Sequence, residues 1–490
     1  VNSFAERGWL TLNLAPIGNE TRYHSPGDDV AALDPATLQH MGDQTLALTL
    51  ALANSTPKAS SGDRIFMDLA GRGLITLPLS LGVMVLVVLL LAFAMVSLRR
   101  GGLLRSAVTI VGTVVLSTML SWLILAMIGA ARQGMFWRAH PIWTHLAVYA
   151  ATLFAATVLL ATIGAGVERT RLRPAFWLTF LGIGGAIGLI APGGIIFFLF
   201  PPLVLLIGMI ASRWWKHAEH VGSIAAILFL YLTWGAMLGL LQELLNGGPM
   251  WIFAPLGALL IIPALIEARP LIAAAGVRNV AWKSGALTLA FCAISATVPA
   301  YSADREQRFI IQHVTDGSVH KSWWSVVNDG ASLPYSGPWK RGELPFSDRP
   351  RWISAVPADA AAKAPAVQLL SQVAAGSERT LSIRLSSNGN EHVELIAPDD
   401  ARIRSAGVGD FIRPIDQNED GKFFIDCFGR SCDGVILQIT TARLKPIRFL
   451  ILGSKAPLPP SAARLLAGRP RFARPQYNRD ESIVFSQVNL

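Results

Sequence analysis

Charge is scarce in this chain. Only 15% of its 490 residues are Asp, Glu, Lys or Arg, against about a quarter in a soluble protein. The deficit is concentrated between about residues 75 and 300, where long apolar runs follow one another, and this excludes a wholly soluble chain. Cysteine is scarce as well, with three in all. Cys292 lies in an apolar run and reads as a small packing residue. Cys427 and Cys432, in FIDCFGRSCDG, stand close enough to bridge if their domain is exported. No other Cys or well-spaced His is near them, which argues against a metal site. Also missing are a G-x-S-x-G nucleophile elbow and an H-E-x-x-H helix, so neither an α/β-hydrolase nor a zincin is expected.

The net charge of +10 belongs to no nucleic-acid-binding face. Residues 1–74 hold five Lys/Arg and eight Asp/Glu, residues 75–300 thirteen and four, and residues 301–490 twenty-four and twenty. The excess therefore lies in short loops between apolar runs, where positive charge sets membrane orientation. Eight spans are expected, near 75–98, 107–130, 142–166, 175–191, 193–211, 221–241, 250–267 and 283–300. The fourth and fifth are separated only by Pro192-Gly193-Gly194, so a re-entrant hairpin is the alternative to two crossings. One set of loops holds Arg99, Arg100, Arg105, Arg169, Arg171, Arg173, Arg213, Lys216, Arg269, Arg278 and Lys283. The other set holds only Arg132 and Arg138. This bias places the first set in the cytoplasm and both soluble flanks on the far side.

Ionisable residues within the spans are almost absent. His145 and Glu243 are the nearest cases and read as interfacial polar residues near span ends, which counts against coupled transport. GIGGAIG (182–188) has the wrong spacing for a dinucleotide loop and lies in a span, where small residues let helices approach.

Residues 301–490 alternate polar and apolar in short runs, as an antiparallel β-sandwich does. TLSIRLSSNGNEHVELIA (380–397) reads as a hairpin around Asn388-Gly389, and KFFIDC, GVILQIT and IRFLILG as further strands. His313, His320 and His392 lack ligand-like spacing and read as structural or surface histidines. The aromatics of WSVVNDG and LPYSGPWK read as part of a small core.

In the N-terminal arm, WLTLNLAPIG (9–18) reads as a buried strand. A turn, TRYHSPGDD (21–29), follows. Asp34 is a good N-cap, and Pro35 suits the first helical position. Leu38, Met41, Thr45, Leu48 and Leu52 then give one helical face, ending near Asn54. STPKASSGD is a polar linker. A strand and a helix of this size cannot bury a sufficient core alone, so the arm looks like the last piece of an α/β domain.

This arm resembles the closing segment of the two-zinc aminopeptidases, peptidase family twenty-eight. Tyr23, His24, Ser25, Pro26 and Asp28 match that family's final ligand turn. Asp34, Pro35, Leu38, Gln39, His40, Gly42 and Asp43 match the helix start. DRIFMDLAGRGLITLP (63–78) resembles the membrane entry of the family's polytopic branch, the vacuolar and endoplasmic-reticulum membrane metallopeptidases and their bacterial relatives. The resemblance implies a zinc metallopeptidase, with His24 as a ligand to one of two zinc ions and Tyr23 as a contact to a developing oxyanion. It also implies an earlier His-x-Asp run, a bridging Asp, a Glu-Glu pair and a further Asp, none of which precedes His24.

The expected protein is thus a multi-domain membrane protein. Residues 1–56 are the remnant of an aminopeptidase-like α/β domain, 57–74 a linker, 75–300 an eight-helix transmembrane bundle, and 301–490 a non-cytosolic β-sandwich-like domain. It is expected in the bacterial inner membrane, truncated and inactive by itself, with the bilayer as partner and peptide as substrate only in the complete form. The alternative is a non-catalytic polytopic scaffold or small-solute transporter.

Overall fold

A computed structural model describes residues 4, 7–16, 18, 20–54, 62–69, 71–132, 134–330, 333, 337–357, 362–415 and 423–490. It divides into two compact units: Val1–Glu20 with Asp29–Arg305, and Thr21–Asp28 with Glu306–Leu490.

In the first unit, residues 9–16 form neither strand nor helix. The expected strand fails for a physical reason: a strand is a pairing relation, and no described strand lies beside it. The helix is where its signals put it, Pro35–Asn54. Asp34 Oδ1 accepts from Ala36 N at 2.9 Å and caps it. None of its residues is buried, so the Leu38, Met41, Thr45, Leu48 and Leu52 face is left uncovered by the described residues. Residues 55–61 of the expected linker lie outside the description. The rest is not linker: β1 (Arg64–Asp68) and β2 (Leu74–Pro78) form an antiparallel hairpin. Its turn is closed by Asp68 Oδ2, which accepts from Gly71 N at 2.6 Å. Ile65 and Met67 are buried on one face with Ile196.

Among the described residues, eight helices long and apolar enough to cross a membrane follow: Leu79–Arg100, Leu103–Ala131, Pro141–Ala161, Arg169–Ile190, Pro192–Ala211, Ala218–Leu244, Met250–Ala275 and Val277–Thr297. They are called here the first to eighth spans. The fourth and fifth are separate helices. The chain breaks at Ala191, whose backbone is not helical (φ −134°, ψ 84°), and Pro201 and Pro202 sit in the first turn of Phe200–Ala211, where a missing N–H costs little. The small residues of GIGGAIG let the fifth span fold back on the fourth: a Cβ on Gly184 would lie 2.5 Å from Phe198 Cγ. On the second span Ser106, Thr109, Thr113, Ser117 and Ser121 form a buried stripe of small side chains, the kind of face membrane helices pack through. The outer faces stay apolar, with Leu91, Met119, Leu240 and Leu289 each more than half exposed. So much exposed apolar surface suits lipid rather than water.

The second unit carries two sheets. Its strands are β3 (Gln307–Asp316), β4 (Lys321–Asn328), β5 (Lys340–Leu344), β6 (Ser347–Val356), β7 (Ala366–Ala375), β8 (Glu378–Ser386), β9 (His392–Ile396) and β10 (Ile403–Val408). Then come β11 (Phe411–Pro414), β12 (Phe424–Phe428), β13 (Ile436–Thr441), β14 (Arg448–Lys455), β15 (Ala473–Arg474) and β16 (Glu481–Asn489). A five-stranded sheet runs β11-β10-β13-β8-β7, and a larger one runs β12-β9-β14-β16-β3-β4-β6-β5, with β15 beside β3. Leu381, Ile383 and Ile439 of the first sheet share a core with Val393, Leu395, Phe449 and Ile451 of the second. The domain is therefore sandwich-like, as expected.

Two expectations need correction. Asn388 and Gly389 do turn with φ of 48° and 84°, but β8 and β9 do not pair and belong to different sheets. Both alternate apolar residues toward one core, so they face each other across it. Nor is the domain purely antiparallel: β16 runs parallel to β3 through Glu481↔Gln312 to Phe485↔Asp316. These two strands come from opposite ends of the domain, so no tight turn dictates their direction. Trp324 is buried beside His313 at 4.9 Å, and Trp339 packs on the same cluster. Residues 334–336 of LPYSGPWK lie outside the description.

The fifth and sixth spans cross at glycine, where a Cβ on Gly222 would lie 2.9 Å from Gly208 Cα. Gly222→Val is expected to cost about 2 kcal/mol through overpacking and to lower the melting temperature in detergent. Gly239→Val, where nothing lies within 4 Å of an added Cβ, should leave it unchanged.

Candidate functional site

His24 occupies a tight turn in the second unit. It adopts a left-handed backbone, φ 54°, which is uncommon outside glycine and signals a position held by its surroundings. Asp28 Oδ2 accepts from His24 N at 3.4 Å, and Ser25 Oγ donates to Arg22 O at 2.7 Å. Ser25 Oγ also reaches Glu306 Oε2 at 3.5 Å, and Glu306 pairs with Arg474 at 3.7 Å. The loop between β15 and β16 grips the turn from the other side. Tyr477 N donates to His24 O at 2.8 Å, and Gln476 Nε2 donates to Tyr23 O at 2.9 Å.

The imidazole is exposed and has two aromatic rings beside it. Its centroid is 3.9 Å from that of Tyr23 and 5.5 Å from that of Tyr477. Neither ring nitrogen has a hydrogen-bond partner among the described residues, so one is free to bind a metal. A zinc centre needs more: three or four ligands, one often a carboxylate. No group of three His, Cys, Asp or Glu placed to hold a metal exists among the described residues. Among the described residues the donor set at the turn is one imidazole, and it does not fit a zinc ion by itself.

The model of Peptidase family M28 matches residues 1–49. The match spans the His24 turn and most of the helix Pro35–Asn54, about a tenth of the chain. Neither the comparison with curated proteins nor that with solved structures returned a match.

The other sequence-level candidates disperse. His392 Nε2 meets Asp426 Oδ1 at 2.9 Å and stacks on Phe428. His313 is buried, and His320 sits in a turn with φ 51°. Cys427 on β12 is joined to Cys432 as a disulfide, with Cα atoms 5.6 Å apart, and Cys292 is free. Glu243 is half exposed and pairs with Arg305 at 3.5 Å. His145 lies near the start of the third span, as expected. It is buried, edge-on to Phe253 at 4.7 Å, with both ring nitrogens unpartnered.

A second polar site was not foreseen. Arg173, expected in a loop, lies inside the fourth span, and Glu267 lies inside the seventh. Both side chains are 5% exposed and form a two-point pair, with Arg173 Nη2 donating to Glu267 Oε2 at 2.6 Å. Ser223 Oγ of the sixth span donates to Glu267 Oε1 at 2.7 Å, and His220 Nδ1 lies 3.1 Å from Glu267 Oε2. Glu219 takes Arg173 at 3.1 Å and Arg100 of the first span at 2.8 Å. Four spans thus meet at one charge-balanced cluster. The sequence signal for it was available: Glu219 and Glu267 are two of only four acidic residues in 75–300. Acids on the arginine-rich side serve no orienting purpose, so they need partners.

The balance and burial make this cluster a clamp. Removing one partner of a buried pair leaves an uncompensated charge and costs about 3–5 kcal/mol, whereas replacing both with apolar residues is far milder. Glu267→Leu is therefore expected to lower the melting temperature in detergent strongly, and Arg173→Met with Glu267→Leu to recover most of the loss.

Proposed function

We propose that this chain is the membrane-anchoring, histidine-bearing part of a zinc-dependent, aminopeptidase-like metallopeptidase. The observation that carries the reading is the family match over residues 1–49, which includes the His24 turn, in a chain that continues into eight span-length helices. His24 would supply one neutral imidazole nitrogen as a ligand. The other ligands and the general base would come from outside these 490 residues. This chain's own part is to hold His24 in its strained turn and to keep it at a membrane surface. Peptides are the substrate class, and the bilayer is the permanent partner.

We place both soluble parts on the non-cytoplasmic side, in a bacterial inner membrane. The Lys/Arg bias supports this, ten to two once the buried Arg173 is set aside. The two exceptions are both engaged by the protein: Arg138 pairs with Glu20 at 3.2 Å, and Arg132 Nη1 donates to the carbonyls of Ser295, Ala296 and Val298 at 3.2, 3.1 and 2.8 Å. The Cys427–Cys432 bridge fits an oxidising compartment.

The open reading frame that contains this chain, with any upstream coding sequence, should cleave leucyl-nitroanilide in membranes only when zinc is present. His24→Ala should lower kcat/KM by more than about 100-fold. Unaltered cleavage by that variant would remove His24 from the site. Alkylation without prior reduction should modify Cys292 alone, read by mass; labelling of Cys427 and Cys432 would place the domain on the reducing side.

A further inference from the structure

The buried cluster balances its charges, but the connection after the third span does not. Arg173 and Arg100 meet two carboxylates, Glu267 and Glu219. Around residues 163–171 four arginines gather with one carboxylate. Arg105 donates to Ile163 O at 2.6 Å. Arg269 donates to Val167 O and, at 3.2 Å, to Gly164 O. Arg169 and Arg171 open the fourth span. The carboxylate is Glu168, which accepts from the Thr170 hydroxyl at 3.1 Å. Among the described residues none of the four arginines pairs with a carboxylate. An open cavity of about 440 Å³ lies where the fourth span begins and the seventh ends, lined by Glu168, Arg169, Thr170, Arg269 and Ala273 among others. We propose that this cavity binds the phosphodiester headgroup of an anionic phospholipid. The inference rests on the eight-span reading and is independent of the peptidase reading.

Three observations carry it. The first is unspent charge. Arg269 lies within the seventh span and spends its donors on carbonyls alone, so its charge meets no anion. Arg169 is half-buried and has no side-chain partner among the described residues. Cations withdrawn from water without a counter-ion favour one from outside. A phosphate oxygen pair matches the planar fork of a guanidinium.

The second is the backbone. No side chain caps the fourth span, so the N–H groups of Arg169 and Thr170 have no partner within that 22-residue helix. Beside two lining arginines, these donors add to the pull on an anion. They do not select a phosphate by themselves; the guanidinium groups do.

The third is what surrounds the charge. Leu271, two residues beyond Arg269, is 73% exposed, and Leu104, next to Arg105, is 79% exposed. Free phosphate has no use for such surface. A phospholipid uses both parts, its phosphate in the cavity and its acyl chains along the apolar faces of the spans. Basic pockets between spans at one membrane surface suit lipid headgroups in this way. Glu168 leaves the lining with a net charge of +1, and Arg105 and Arg171 raise that of the neighbourhood to +3, which favours an anionic lipid over a zwitterionic one.

The test uses the chain purified in a neutral detergent, with bound lipid read by native mass spectrometry. Dioleoyl-phosphatidylglycerol should be retained at concentrations where dioleoyl-phosphatidylcholine is not. Arg169→Gln should weaken that retention about fivefold, and Arg213→Gln, at an arginine outside the cavity, should leave it unchanged. Ala273→Phe fills the cavity without altering charge and should weaken it at least as much as Arg169→Gln. Inorganic phosphate at millimolar concentration should not displace the lipid. Equal retention of the two lipids would make the bound molecule part of a lipid annulus and overturn the site. An indifferent Arg169→Gln would do the same, as would an Arg213→Gln loss of equal size, which would make the attraction diffuse. Displacement by inorganic phosphate would assign the cavity to the free ion and overturn the lipid. Lipid-free Arg169→Gln should melt at the wild-type temperature; if it melts lower, Ala273→Phe decides, and undiminished retention in that variant overturns the proposal.

Discussion

The membrane unit depends on what hydrocarbon does to a polar group: it offers no hydrogen bond, so each must find its partner inside the protein. One guanidinium answers this at a single point. Arg173 spends its donors on Glu267, Glu219 and the His220 nitrogen, and Arg100 brings in a fourth helix through Glu219 and Thr170 O at 2.6 Å. Other arginines tie down the connection after the third span. Arg105 donates to Ile163 O at 2.6 Å, and Arg269 donates to Val167 O and Gly164 O. Charge near the ends of spans thus also satisfies the carbonyls of the turns between them. Helix packing supplies the rest, through the Ser/Thr stripe of the second span and the Gly208–Gly222 crossing.

What the sequence made legible was local or periodic. Eight apolar runs give eight span-length helices, since length and composition suffice. Asp34 and Pro35 mark the helix start because capping is settled within four residues. Non-local relations were not legible. Asn388-Gly389 specifies a backbone turn, but whether the flanking strands pair or face each other is decided by the rest of the core. The parallel seam between β16 and β3 has no sequence mark at all. Arg173 reads as loop charge in RTRLR, and only the acids opposite it reveal a buried role. At the candidate site the division is the same. The histidine turn is legible as a pattern, while Tyr477 is a lone tyrosine in a Pro-Gln-Tyr-Asn loop with nothing to distinguish it.

The N-terminal arm illustrates a further limit. Its apolar helical face and its strand-like run are encoded locally, yet only the helix forms: Pro35–Asn54 has no buried residue, and residues 9–16 form no strand. Helix hydrogen bonds are internal to the segment, whereas strand hydrogen bonds are not.

The grip on the histidine turn has a temporal side. Tyr23 and Gln476, which meet in one hydrogen bond, are 453 positions apart. A ribosome adding about 5–20 residues per second needs on the order of 20–90 s to cover that distance. For that whole interval, which includes the synthesis of the eight span-length helices, the turn has no loop to hold it. The hydrogen bonds from Gln476 and Tyr477 can form only once those residues have been made. The order of synthesis therefore makes the grip on the turn one of the last contacts of the chain.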